Sequence, residues 1–502
     1  MAVKSLLALF LFVFSQNLST QPADDRIRIN QIGYQPTGTK IAVVVTAKAG
    51  TFSITNQNEL KPLFTGTLGT AKHSTYNPAE TRMADFSSFT GTGTFVLRVP
   101  GIGVSHPFTI ADGVHGPVLK AALKSYYFQR FSLPLEERFA GRWNRPASAL
   151  QPVVIHPSAA SASRPAGTAV PSPRGWIDAG DYNKYIVNSG ITTATLLMAY
   201  EDAPGVFNTL ETNIPESGNG IPDLLDETLW NIRWMLTMQD PADGGVYHKC
   251  TNANFDAMVM PHEPAFTRYL VQKSTAAALD FTSVMARAAR VFGPFSKQLP
   301  GLADTCRTSA IKAWSWATTH PAVIYDQEKI NREFDPDITT GTYGDGNVSD
   351  EWIWAAAEMT VLTGDAKHLR GIDMFPAEAD QVPAWNEVRM MGYYALAQGG
   401  SGKVQQEAKE RVLRAADALA SGLDGSPWHA VMGGSGRSSD FVWGSNAVAA
   451  NQAMLLLKAR ILVSGSEGER YLEGAISNLD YLLGRNAAGY SFVTGYGSKI
   501  PM

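Results

Sequence analysis

The strongest constraint on how this chain folds is a change of hydrophobic period near residue 116. Residues 27 to 111 hold seven short runs rich in β-branched and aromatic side chains: IRINQIGY, KIAVVVTA, TFSITNQ, KPLFTGTL, MADFSSFT, GTFVLRVP and VSHPFTIA. Gly, Pro, Asn and Thr turns separate them at a spacing of roughly ten residues, the pattern of an immunoglobulin-like β-sandwich. We place that sandwich at 26–111, and the lack of a Cys-Trp-Cys arrangement sets it apart from antibody domains. From 116 onward apolar residues recur at helical spacing, near 117–130, 185–201, 222–239, 273–292, 304–319, 349–363, 386–397, 404–421, 444–461 and 468–484. Long helices in series, with Gly- and Pro-rich connections and no intervening strand runs, predict a helical barrel or solenoid. No fixed sequence period is visible, which argues against a tetratricopeptide or ankyrin array.

Composition narrows the partners. Lys plus Arg is 42 and Asp plus Glu is 46, a net charge of −4 over 502 residues, which argues against nucleic acid or an anionic membrane surface. Apolar residues make up 44%, enough for a large core and too many for wholesale disorder. Charged residues are 18% and aromatics 10%, a balance suited to a neutral, hydroxyl-rich ligand. Lys4, the apolar run Leu6 to Phe14 and the polar residues after it read as a secretory signal peptide over 1–22, with an N-terminal anchor as the alternative. No other stretch approaches 18 apolar residues, so no membrane span is expected. The mature protein is expected to be secreted, periplasmic or at the cell surface. Cys250 and Cys306 are too few for a disulfide scaffold or a four-cysteine zinc site; one bridge or two buried thiols both fit.

The segment Gly175-Trp176-Ile177-Asp178-Ala179-Gly180-Asp181-Tyr182 carries two carboxylates three residues apart, with Ala-Gly between them, just before a helix. Small residues let backbone approach a ligand, and such a pair can hold one water, one oxygen taking its proton and the other orienting it. The spacing fits helix capping as well.

The segment GWIDAGDYNKYIVNSGITTATLLMAYE resembles the catalytic-base region of glycoside hydrolase family nine, the inverting cellulases. IRINQIGYQP resembles the opening of the immunoglobulin-like module that precedes the catalytic domain in many members. ESGNGIPDLLDETLWNIRWMLTMQD, GGVYHK, SDEWIWAAAE, DFVWGSNAVAANQAMLL and YLLGRNAAGYSFVTGYGSKIPM resemble family segments in the expected order, so the likeness covers nearly all of 27–502. It implies an (α/α)6 barrel of the six-hairpin glycosidase type over 112–502, with an open cleft for a β-1,4-glucan. It also implies that Asp181 is the general base, that Asp178 helps position the attacking water, and that His248, Trp443 and Tyr343 contact sugar.

The Gly-rich, oxygen-rich loop Gly341 to Glu351 suits Ca²⁺. By resemblance its ligands are the carbonyls of Gly346 and Asn347 with Asp350, Glu351 and Glu387. Glu216, Asn219 and Asp223 fit either a second calcium site or capping. Some members hold zinc before the DAGD motif; Phe131 stands at one such position and no Cys occurs before residue 250, so no zinc is expected, and no organic cofactor. In the family the general-acid Glu follows the segment that reaches Met502, so the acid is expected beyond that residue and the barrel is expected to be incomplete. The leading expectation is a monomeric, secreted endo-β-1,4-glucanase acting on cellulose or a related β-glucan with inversion. Alternatives are the same machinery acting on xyloglucan, mixed-linkage glucan or oligosaccharides, and a non-catalytic glycan-binding protein.

Overall fold

A computed structural model of the chain describes residues 22–501 except 74, 75, 77, 149–152, 264, 265, 435 and 436. Nearly all of the expected signal peptide lies outside the described residues. The chain forms two compact units, one of residues 1–115, 424–438 and 479–502, the other of residues 116–423 and 439–478.

The first unit is a sandwich of two sheets. Strands β1 (Ile27–Arg28), β2 (Gly33–Tyr34), β3 (Ile41–Val45), β4 (Thr51–Asn56), β5 (Phe64–Thr67), β6 (Lys72–His73), β7 (Glu80–Asp85), β8 (Gly93–Val99), β9 (Gly103–Val104) and β10 (Phe108–Ile110) follow in order. One sheet runs β1-β3-β7-β6 and the other β2-β10-β8-β4-β5, with β9 on β8. The run IRINQIGY makes two strands rather than one. Asn30 Oδ1 accepts from the backbone N–H of Ile32 and Gly33 and turns the chain, so β1 and β2 enter different sheets. Gly33 is required there: its φ is +142°, and a Cβ would lie 1.8 Å from the Thr109 carbonyl oxygen of β10. The run MADFSSFT pairs earlier than its pattern suggests, in β7, and Phe86 turns into the core. There Tyr34 meets Phe86 and Phe108 edge-on at 5.3 and 5.7 Å. Residues from the far end of the chain belong to this unit. Gln31 Oε1 accepts from the Ser498 and Lys499 N–H groups at 2.8 Å each, and Asn30 Nδ2 donates to Asp480 at 2.7 Å. Asp480 also pairs with buried Arg485 at 2.9 Å.

The second unit is helical. Its helices are α1 (Gly116–Phe128), α2 (Glu137–Ala140), α3 (Ile186–Asp202), α4 (Pro204–Phe207), α5 (Asp223–Thr237), α6 (Thr275–Val291), α7 (Leu302–Thr319), α8 (Gln327–Glu333), α9 (Ser349–Thr363), α10 (Arg389–Gly399), α11 (Gly402–Ala420), α12 (Ser445–Leu462) and α13 (Ser466–Leu482), whose residues 479–482 count with the first unit. The ten long helices fall where the periodicity places them, and the helical content fits an (α/α)6 barrel. Every residue of α6 except Arg290 is buried, which only an inner helix packed on all sides can achieve, and α6 packs against α3, α7 and α9. Arg287 of α6 binds Glu358 of α9 through two nitrogens at 2.9 and 2.6 Å and also pairs with Glu201 of α3. Arg290 reaches Glu358 at 2.6 Å. Burial pushes the Glu358 carboxyl up, but the two guanidiniums outweigh it and hold its pKa below the ordinary value.

One sequence expectation needs correction in this unit. The helical region does contain strands: β11 (Val153–Ile155), β12 (Lys184–Tyr185), β13 (Lys249–Thr251) and β14 (Arg268–Leu270) form a sheet in the order β11-β14-β13-β12. They are two or three residues long, too short for period-two alternation to register. No side chain caps α9, and Asp350 accepts from the Val388 N–H at 2.7 Å. Cys250 and Cys306 are both buried free thiols. Among the described residues no helix is long and apolar enough to cross a membrane.

Candidate active site

The loop that carries the two carboxylates ends in the small sheet. Tyr185 of β12 pairs in register with Lys249 of β13, which fixes the end of the loop against a rigid neighbour. The loop closes on itself through the Asp178 N–H, which donates to the Asn183 carbonyl at 2.9 Å. Tyr182 sits at φ +52°, a conformation that costs a non-glycine residue energy and that the surrounding contacts must enforce.

Asp181 is buried, 7% exposed, and well supplied with donors. The Tyr185 hydroxyl donates to its Oδ2 at 2.6 Å and Asn183 Nδ2 to the same oxygen at 3.2 Å, which leaves Oδ1 the less committed. Asp178 faces solvent. The Tyr343 hydroxyl donates to its Oδ2 at 2.9 Å and Asn188 Nδ2 to its Oδ1. The surrounding protein pushes the Asp178 carboxyl up, the Tyr343 bond opposes this, and the Asp181 charge adds to the rise. The two tyrosines pack together, ring centroids 4.7 Å apart, and Trp385 meets Tyr343 edge-on at 5.2 Å. Tyr343 is itself held at φ +43°. The structure therefore brings Asp178, Asp181 and Tyr343 into one constellation.

His248, which the resemblance assigns to sugar contact, is a buried residue in this structure. It is 1% exposed and both ring nitrogens are engaged, Nδ1 with Ser274 Oγ and Nε2 with the Thr342 carbonyl, each at 2.9 Å. Its ring stacks on Tyr325 at 4.1 Å. It braces the backbone next to Tyr343 from beneath. Burial lowers its pKa from 6.5 to about 3, so the neutral ring is the folded form. Folding stability from this group is complete above about pH 6.5 and is lost as the pH falls toward 3. Between pH 6.5 and 4.5 the loss is about 2–3 kcal/mol. A His248→Gln variant is expected to show a shallower fall in melting temperature over that range; an identical acid profile would contradict the buried neutral ring.

Trp443 stands fully exposed on the turn before α12 beside Phe441 and Val442, also exposed. Among the described residues no hydrogen bond or ring contact joins it to the carboxylate pair.

The expected cation ligands gather around the start of α9. Asp350 and Glu351 are buried, and Glu387 lies within electrostatic reach of Asp350. Gly346 and Asn347 sit on the loop just before the helix; Asn347 N–H donates to Asp345 Oδ1 at 2.9 Å and its Oδ1 accepts from Ser349 N–H. Asp280 of α6, fully buried, joins the group. Both carboxylate oxygens of Asp280 and of Glu351, and Oδ2 of Asp345, have no hydrogen-bond partner. Burial and mutual repulsion push Asp280 and Glu351 well above the ordinary carboxylate range. Unpartnered buried carboxylate oxygens next to a Gly-rich loop are a donor set that fits a hard divalent cation. The set is assembled in charge rather than in coordination geometry: among the described residues no three His, Cys, Asp or Glu side chains converge as a metal cage. By contrast, Glu216 pairs with Arg130, and Asp223 Oδ2 takes the Thr212 and Ser217 hydroxyls, so both carboxylates have protein partners, although no side chain caps α5.

Sequence reasoning passed over Tyr185, Asn188, Trp385 and Asp280. Asp280 had a visible signal, an acid inside the apolar run AAALDFTSV; the other three become meaningful only once folding places them against the carboxylates.

A paired-carboxylate loop in a helical domain that follows a β-sandwich in the sequence is consistent with a glycoside hydrolase, and the comparisons show that class. The chain belongs to glycosyl hydrolase family 9, which matches residues 115–502, and a cellulase N-terminal Ig-like domain matches residues 22–104. It is similar to the xyloglucan-specific endo-beta-1,4-glucanase BoGH9A of Bacteroides ovatus, 42% identical over 95% of this chain and 82% of the relative. It is also similar to endoglucanase D of Acetivibrio thermocellus, 31% identical over 95% of this chain and 74% of that protein. A solved Bacteroides ovatus GH9 structure superposes with a TM-score of 0.90 at 41% identity, covering 95% of this chain and 87% of the other.

Proposed function

We propose that this glycoside hydrolase is an exported, inverting endo-β-1,4-glucanase that cleaves a β-1,4-glucan backbone, with Asp181 as general base. The observation that carries the reading is the unequal pair on one loop: Asp181 buried and held by Tyr185, Asp178 open to solvent and held by Tyr343. Asp181 Oδ1 takes the proton from a water as that water attacks the anomeric carbon. Asp178 orients the same water, with Tyr343 and Asn188 fixing its carboxylate. Tyr185 keeps Asp181 in one rotamer, so no reorientation precedes proton transfer. Inversion also needs a second carboxyl about 6.5–9.5 Å away to protonate the leaving oxygen. Trp385 and Trp443 offer apolar ring faces to sugar C–H groups.

Xyloglucan is the first substrate to test, because a relative 42% identical carries that specificity in its name. Reducing-sugar release is compared on xyloglucan, carboxymethylcellulose and mixed-linkage glucan, and the initial anomer is read by NMR. An α-configured first product supports the reading and a β-configured one overturns inversion. Binding without any release would make the protein a glycan-binding module instead.

Calcium is part of the same proposal. Asp280, Asp350, Glu351 and Glu387, with the carbonyls of Gly346 and Asn347, would hold it. Bound there, the cation supplies positive charge that offsets the crowded carboxylates and anchors the loop bearing Tyr343. Chelation with EDTA is expected to lower the melting temperature at pH 7 and added Ca²⁺ to restore it; no shift either way would remove calcium from the reading.

A further inference from the structure

A long excursion, residues 252–267, joins the paired strands β13 and β14. Its first half is tied to both loops of the site. Asn252 N–H donates to Asn183 Oδ1 at 2.9 Å, and Asn252 Nδ2 donates to Asp256 at 2.8 Å. On the other side, Thr339 N–H donates to the Ala253 carbonyl at 2.8 Å and its hydroxyl to Asn254 Oδ1 at 3.0 Å, four residues before Tyr343. Val259 packs beside Phe131, Ile177 and Tyr182, and its carbonyl accepts from the Tyr182 hydroxyl. Asp256 lies within electrostatic reach of Asp181.

On this pinned backbone the large side chains are left in water. Phe255 is 57% exposed, Met260 53%, and Met258 wholly exposed. Loops usually turn such residues inward, and a cluster of apolar side chains kept at the edge of a binding site marks a contact surface. From Ala253 to His262 the only charged residue is Asp256, so the surface suits an uncharged ligand. The stretch around residue 256 borders the site, because Asn252 is fastened to Asn183 of the carboxylate loop and Asn254 to Thr339 of the loop that bears Tyr343.

We propose that Phe255, with Met258 and Met260 beside it, forms a glucan-binding platform that grips the backbone of a long β-glucan on the way to Asp181. The platform rests on the function proposed above and adds the residues that select for chain length. Phe255 is set between two anchored neighbours, so its ring is pre-positioned for the apolar face of a sugar.

The test is a split between KM and kcat. Phe255→Ala is expected to raise KM for xyloglucan or cellohexaose about tenfold while kcat stays within about twofold. Phe255→Trp is expected to keep KM near the wild-type value, since it restores a flat apolar ring. Met258→Ala, at a side chain wholly in solvent, is expected to raise KM less and leave the melting temperature unchanged, which guards against a folding defect in the first variant. An unchanged KM in Phe255→Ala overturns the platform. So does an unchanged KM with an altered elution volume on gel filtration, which would assign the patch to a protein contact. If the wild-type enzyme releases sugar from no β-glucan, the underlying functional reading fails instead, so the two failures are distinguishable.

Discussion

Replacing Asp181 with asparagine is expected to lower kcat on β-glucan by about 10²–10⁴-fold, the range that loss of one proton-transfer group produces. Asparagine keeps the size of the side chain and its carbonyl oxygen still accepts from Tyr185, so the loop is expected to hold its shape. What disappears is a basic oxygen next to the attacking water. KM and the affinity for a cello-oligosaccharide are therefore expected to change by no more than a few-fold, because the interaction removed is made in the transition state. Asp178→Asn provides the contrast. That residue orients rather than deprotonates, so its loss is expected to be smaller than that of Asp181→Asn. Steady-state rates with xyloglucan and isothermal titration with the oligosaccharide separate the two. Wild-type turnover in Asp181→Asn would contradict the base assignment.

Arg287→Met is expected to be the most damaging change to stability away from the site, at about 3–5 kcal/mol, because it strands a buried carboxylate. Glu358 is fully buried and takes two of its three close nitrogen contacts from Arg287. Arg290 alone, attached through one nitrogen at 2.6 Å, cannot replace both. Glu201 loses the same partner, but it is partly exposed and rehydrates. Adding Glu358→Gln to Arg287→Met is expected to recover part of the loss, since a neutral amide is far less costly to bury than an unpaired charge. Denaturant titration of the single and double variants measures this, and a loss under about 1 kcal/mol for Arg287→Met would show that the network is not a structural tie.

The long helices were legible because apolar residues recur at helical spacing over three or more turns, as in the buried stripe of α11. The two carboxylates were legible because Asp-Ala-Gly-Asp compresses the chemistry into four residues. What escaped is what depends on distant partners. The split of the first strand pair turns on Asn30, whose side chain answers to Asp480. The sheet that anchors Tyr185 is built from strands of two or three residues gathered from across more than a hundred positions. His248 follows a Gly-Gly turn that leaves surface and core equally open, and its surroundings are set by Ser274, Tyr325 and Thr342. Local pattern reports a residue's own backbone, and it says little about what later segments lay on top.

The bonds from Asn30 and Gln31 to residues 480, 498 and 499 span 450 to 468 positions of sequence. Loop-closure entropy rises only as the logarithm of length, so the span adds little to the equilibrium cost. Its consequence is temporal. During synthesis the amino-terminal strands leave the ribosome first, but the amide of Gln31 and the turn at Asn30 find these partners only after some 450 further residues have been translated. The sandwich is thus begun early and joined up late, and a nascent chain stalled before residue 479 carries an unfinished rim open to proteases and chaperones.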